Sequence, residues 1–182
     1  GHEVVIIAPG PEDGEEERHG GRILWVKGPP MPFDPRYFLL LREKRVHELL
    51  EREAPDLIEG SSPWTGGWFA ARYPKPCPRV LIFHQDPVAV YPHTLLDRHL
   101  APASIDLFFK PFWGYLSKLS RRFDATVVSG EWLADRLSGF GVHAPHAVPF
   151  GIDKAGFSPE HRSEEVRRAW LERCGVGPEA SL

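Results

Sequence analysis

Apolar runs and polar gaps alternate along this chain. HEVVIIAPG (His2–Gly10) is nearly continuous hydrophobic and ends in Pro-Gly, which predicts a short strand buried on both faces. The acidic, glycine-punctuated PEDGEEERHGG after it predicts a solvated loop. RILWVKG (Arg22–Gly28) predicts a second strand and GPPMPFDP a proline-rich connector. From Pro35 to about Glu53 the period becomes helical: Phe38, Leu41, Val46, Leu49 and Leu50 share one side, with Arg42, Lys44, Arg45 and Glu48 between them. Pro35 suits the first turn of that helix and Pro55 closes it.

The rhythm then repeats. PDLIEGSS predicts a strand, Thr65–Tyr73 a short helix, and RVLIFHQDP (Arg79–Pro87) a strand with a polar mouth. Ser104–Asp124 predicts one long helix, with Ile105, Phe108, Phe112, Leu116, Leu119 and Phe123 at helical spacing. DATVVSG is a strand, EWLADRLSGFG a helix, and APHAVPFG (Ala144–Gly151) the last strand. A final helix spans Ser163–Cys174, with Ser163 as N-cap and Gly175 as C-cap. Alternating strands and helices define an α/β fold: a Rossmann-like parallel sheet with helices on both faces. Such sheets bind ligands beyond the carboxyl ends of their strands. That rule selects Ser61 and Ser62, then His84, Gln85 and Asp86, then Ser129 and Glu131, then Phe150–Asp153.

Composition narrows the classes. A chain of 182 residues fits one domain of ordinary size, and 42% hydrophobic content argues against disorder. A net charge of −3 argues against a dedicated nucleic-acid binder. Cys77 and Cys174 match no metal spacing and no disulfide framework, so a reducing cytosol is the expectation. No apolar run is long enough to span a bilayer.

VPFGIDKAGFSP (Val148–Pro159), following the strand-helix unit VVSGEWLADRLSGFGV and an opening GHEV, resembles the first half of a family-4-type glycosyltransferase of the GT-B fold. The resemblance implies an acceptor-side N-terminal domain over 1–160, then a helix and linker over 161–182 leading to a C-terminal donor domain. It places a first strand and its glycine-rich loop ahead of Gly1. It implies a parent enzyme that moves a sugar from a nucleotide-sugar to a hydroxyl acceptor with retention of configuration, and a chain inactive alone. No metal and no cofactor are implied; the nucleotide-sugar is a co-substrate held mainly by the C-terminal domain. The implied partners are that donor, a glycan or lipid-linked acceptor, and the C-terminal domain, in the cytoplasm or at the inner face of the membrane. Phe150 stands where such enzymes commonly carry Asn.

Each candidate has a chemical and a structural reading. The resemblance gives His84 a contact with donor sugar or acceptor; otherwise it is a polar strand cap. Asp86 can assist deprotonation of an acceptor hydroxyl or cap the following helix. Gln85 is a weaker substrate contact. Ser61 and Ser62, and Ser129 and Glu131, either meet substrate or cap helices. Trp64 and Trp68 either stack on a sugar or pack. His84, Asp86, His93, Asp97 and His99 allow a rival reading as a metal-dependent hydrolase. A non-catalytic sugar- or partner-binding module is the other rival. Phe109 and Trp113 beside Lys110, Lys118, Arg121 and Arg122 suit either packing on the sheet or docking on an anionic membrane. Asp153 is expected to hold the turn after the last strand, and Phe157 to drop back into a core.

Overall fold

The computed structural model describes residues 1–177 and 179, apart from 33 and 97. Its chain forms two compact units, Gly1–Pro149 and Phe150–Leu182.

Unit one carries two main sheets. β6 (Ile58–Gly60), β7 (Arg79–Phe83), β8 (Ala125–Val128) and β9 (Pro145–Ala147) form a four-stranded sheet in sequence order. All its pairings are parallel, with Gly60 opposite Leu81, Phe83 opposite Val128, and Val128 opposite Ala147. Parallel neighbours need crossover helices. These are α2 (Thr65–Arg72), then α4 (Pro102–Phe108) and α5 (Lys110–Ser120), then α6 (Glu131–Gly139). The core fills from both layers: Leu81, Val128, Ile105, Leu116, Leu119 and Leu137 are fully buried.

The other main sheet holds β1 (Val5–Gly10), β2 (Gly14–Arg18) and β3 (Gly21–Lys27) in the order β1-β3-β2. β1 runs parallel to β3, as its apolar sequence predicted, but it is not buried on both faces: Ile6 is 52% exposed. The acidic segment departs from expectation: it is strand β2, antiparallel to β3, rather than a loop. His19 and Gly20 both have positive φ (50° and 79°), the geometry of a two-residue hairpin turn that matches strand twist. An exposed edge tolerates the glutamates, and Arg22 donates to Glu15 at 2.9 Å.

The first helix also starts later than expected. Asp34–Phe38 is strand β5, paired with β4 (Pro30–Met31), and α1 runs Glu43–Glu53. Tyr37 and Phe38 favour a pleated strand, and the Leu39 N–H donates to the Pro29 carbonyl. α1 ends at Ala54, whose left-handed backbone (φ 45°) precedes Pro55. The long helix over Ser104–Asp124 is two helices, α4 and α5, meeting at Phe109. Pro111 lacks the N–H that a continuous helix would donate to Leu107. Upstream of them a π-helical turn, Ala89–His93, leads into the short α3 (Thr94–Leu96). The last strand is shorter than predicted, Pro145–Ala147.

In unit two, α7 (Glu164–Arg173) follows the sequence closely. The Ser163 hydroxyl accepts from the Val166 N–H at 3.2 Å, and Gly175 closes the helix at φ 67°. Asp153 holds its turn by accepting from the Ala155 N–H at 3.0 Å. Phe157, expected in a core, is 75% exposed instead. A unit this small builds little core; Leu171 is its buried hydrophobic among the described residues.

Candidate functional site

Because β6 to β9 are parallel and adjacent, their carboxyl ends open on one side of the sheet. The residues after β7 and β8 are brought together there. The Ser129 hydroxyl donates to the His84 carbonyl at 3.5 Å, so the two loops touch. His84, Gln85 and Glu131 are exposed, and Ser129 is half-buried. α6 begins at Gly130 without a side-chain cap among the described residues, so Ser129 and Glu131 do not have the capping role that was their structural reading.

Ser61 and Ser62 sit after β6, Ser61 exposed and Ser62 half-buried. The Ser62 hydroxyl accepts from the Trp64 N–H at 3.2 Å, fixing the turn into α2. Gly67 makes that turn possible. A Cβ on Gly67 would stand 2.2 Å from the Ser62 carbonyl oxygen, so only glycine lets α2 press against the strand exit.

An aromatic group backs this corner. The Trp68 indole N–H donates to Tyr115 Oη at 2.9 Å, and that hydroxyl donates to the Pro63 carbonyl. Arg72 and Arg122 each lie 5.6 Å from the Trp68 ring centre. Trp68 is therefore a packing residue. Trp64 stands over Phe112 and Tyr115 and is 58% exposed.

Asp86 is two residues beyond His84 and lies in different surroundings. It is 4% exposed. Its Oδ1 accepts from the Val88 and Ala89 N–H groups at 2.8 and 2.9 Å, the helix-cap reading of the sequence. Its Oδ2 accepts from Arg136 Nε on α6. Arg136 also donates to Asp106 from both terminal nitrogens, at 2.8 and 3.2 Å, and His93 Nε2 meets Asp106 at 3.1 Å. The guanidinium lies 5.1 Å from the Phe140 ring centre and 5.7 Å from that of Trp113. Those two rings stack 4.1 Å apart.

Burial pushes the Asp106 carboxyl up, but hydrogen bonds from Arg136 and His93 outweigh it and hold the group below the usual carboxylate range. Burial likewise disfavours the Arg136 cation, and Asp106 and Asp86 more than offset that. Sequence reasoning missed Arg136 and Asp106. Their only sequence signal was a charged residue on each of two helices that pack on the sheet.

The metal reading finds no support in this geometry. Among the described residues, no three of His, Cys, Asp and Glu gather to hold an ion, and Asp97 lies outside those residues. Asp86 and His93 are instead joined through Arg136 and Asp106. Trp113, a candidate for membrane contact, is 2% exposed and packs inside.

A parallel four-stranded sheet with crossover helices, and polar residues beyond the carboxyl ends of its strands, is the architecture of a Rossmann-like half of the GT-B fold. The family model for Glycosyltransferase Family 4 matches residues 1–155, and the chain belongs to that family. It is 26% identical to the sulfoquinovosyl transferase SQD2 of Arabidopsis thaliana over 171 residues, covering 92% of this chain and 32% of that protein. It is 28% identical to a GDP-mannose-dependent alpha-mannosyltransferase of Corynebacterium glutamicum over 176 residues, 93% of this chain and 40% of the relative. A Mycolicibacterium smegmatis protein of the same name is 27% identical over 177 residues, 93% of this chain and 44% of the relative. The chain thus spans less than half the length of each of these curated relatives. Among the described residues no helix is long and apolar enough to cross a membrane.

Proposed function

We propose that this chain is the acceptor-side half of a transferase that moves a sugar from a nucleotide-sugar onto a hydroxyl. The supporting observation is the exposed polar shelf of His84, Gln85, Ser129 and Glu131, built on touching loops in a family-4 chain. In this reading the acceptor hydroxyl attacks the anomeric carbon on the face from which the nucleoside diphosphate departs, and its proton passes to the leaving phosphate oxygen, so configuration is retained. His84 hydrogen-bonds the donor sugar or the acceptor. Gln85, Ser129, Ser61, Ser62 and Glu131 orient hydroxyls along the shelf. Asp86, with both oxygens engaged by the protein, acts by positioning the His84 loop rather than by taking a proton.

Rate comes from holding donor and acceptor together and stabilising the leaving phosphate, without a bound metal or further cofactor. The donor's main contacts come from polypeptide outside residues 1–182, so this chain by itself does not turn over. The names of two relatives make GDP-mannose the first donor to test. A lipid-linked acceptor at the inner face of a membrane fits the exposed Leu107 and Phe108 beside Lys110, in a cytoplasmic enzyme.

The test is sugar transfer by the full-length polypeptide over a panel of nucleotide-sugars. Transfer is expected, and His84→Ala is expected to lower kcat/KM by about 100-fold, as loss of a hydrogen bond at the reacting centre does. Unchanged kcat/KM in His84→Ala removes His84 from the site. Absence of transfer with every donor, alongside tight sugar binding, favours the non-catalytic module.

A further inference from the structure

Two tryptophans stand at the β6 corner in different surroundings. Trp68 is half-buried, its indole N–H is engaged by Tyr115, and Arg72 and Arg122 flank its ring. Trp64 is 58% exposed. Exposure alone means little on a protein surface. What distinguishes Trp64 is the support behind it. The Tyr115 ring lies nearly parallel to it, at 29° and 6.5 Å between centres, and the Phe112 ring lies at 6.2 Å. Tyr115 and Phe112 stack on each other at 30°. The Tyr115 hydroxyl is pinned between the Trp68 indole and the Pro63 carbonyl. The backbone is held as well. Pro63 has a fixed φ, the Trp64 N–H donates to the Ser62 hydroxyl, and the Trp64 carbonyl accepts from the Trp68 N–H at 3.2 Å. Trp132 and Trp170 are as exposed, at 67% and 57%. Each of those has a guanidinium against it, of Arg136 or Arg173, 5.9 Å from its ring centre. Among the described residues, neither is backed by stacked rings.

Polar groups rim this ring. Ser61, Ser62 and Thr65 line the same cavity as Trp64. Ser61 and Thr65 are exposed. The Ser62 hydroxyl accepts from the Trp64 N–H and keeps its own proton to donate. β6 also ends on the side of the sheet that carries the shelf, with Gly60 opposite Leu81, three residues before His84. A flat, rigid apolar surface bordered by hydroxyls matches a pyranose. The C–H groups of the sugar ring cover the indole face, and its hydroxyls reach the serines at the edge. An alkyl chain would cover the indole and leave the serines unused.

We propose that Trp64 is the stacking platform of an acceptor subsite, and that the acceptor is a glycoside whose pyranose ring lies on the indole with its hydroxyls toward Ser61 and Ser62. The proposal rests on the reading of this chain as the acceptor-side half. It narrows the acceptor from any hydroxyl compound to one that carries a sugar ring. Trp64 holds the acceptor away from the reacting atoms, so it determines which acceptor is bound more than how fast transfer proceeds. A ring already fixed by Phe112 and Tyr115 loses little freedom when the sugar arrives, which favours binding.

Fluorine NMR of the full-length polypeptide labelled with 5-fluorotryptophan tests this without reference to sugar transfer. The resonance lost in Trp64→Phe reports this ring, and the one lost in Trp68→Phe reports its neighbour. The probes are the methyl glycosides of mannose, glucose and galactose, with glycerol as a hydroxyl compound that has no ring. The Trp64 resonance is expected to show a solvent isotope shift in heavy water. It should move saturably with at least one glycoside and not with glycerol, while the Trp68 resonance stays. In turnover, Trp64→Ala should raise the acceptor KM by about 10-fold with a smaller change in kcat, and Trp64→Phe should restore most of it. Lack of the isotope shift overturns the proposal, because other polypeptide then covers the ring. A response to GDP in place of the glycosides also overturns it, since the platform then holds a base, and so does silence toward all three glycosides. A glycoside response without transfer from any nucleotide-sugar keeps the subsite and rejects the transferase. Transfer with a silent Trp64 does the reverse.

Discussion

His84 and Asp86 leave the same strand two residues apart and meet opposite fates. The Asp86 carboxylate is buried, capped onto two backbone N–H groups and clamped by Arg136. His84 is exposed beside Ser129. Strand alternation would put residues two apart on one face, but β7 has ended at Phe83. The turn that caps Asp86 onto the Val88 and Ala89 N–H groups carries its carboxylate inward while His84 stays outside. The inward side chain secures the loop to α6 and, through Arg136, to α4, and the outward one stays open to solvent on the shelf. A loop tied down behind its own working residues gives a shelf of fixed shape, which a reaction that depends on positioning requires.

The strongest way to break this comparison is to cut the clamp. Arg136→Met removes the cation and leaves the Asp86 carboxylate buried without its charge partner. A loss of about 3–5 kcal/mol in urea unfolding is expected. A smaller change would mean that the backbone caps alone hold Asp86. Gly67→Ala attacks the shelf from the β6 side, because its methyl meets the Ser62 carbonyl. It should cost about 1–3 kcal/mol by the same measurement, as overpacking does.

Acid tests the clamp more gently. The Asp106 carboxyl is held below its ordinary range in the folded chain. The unfolded chain then binds its proton at higher pH than the folded one. The stabilisation is present above about pH 4 and fades as pH falls through the folded value. Asp106→Asn should flatten that part of a stability-against-pH curve. His84→Ala should have the smallest effect on folding, under about 1 kcal/mol in urea unfolding, even where it lowers transfer. A large loss there would erase the contrast with Asp86.

Much of this architecture was legible in the sequence. Continuous apolar runs marked β1, β3, β7 and β8, and strand-exit position alone found the shelf. The misses have physical causes. Glu15, Glu16 and Glu17 read as loop because charge obscures a strand, while the hairpin signal lay in His19-Gly20 and its backbone sign. Tyr37 and Phe38 were absorbed into a helical period that begins only at Glu43. The clamp was invisible because Asp86, Asp106 and Arg136 are distant in sequence. A charged residue on an amphipathic helix reads as solvated until the packing is known.

The crossovers also govern how this molecule assembles. Val80 lies opposite Ala125, and neither can find the other until the intervening helices have closed a long loop. Each further pairing in the sheet waits on a similar closure. Such high contact order makes folding slow, and the three-residue β9 has the least to gain from joining early. Its exposed neighbour β8 would then be the stretch most open to mispairing while the chain is being made.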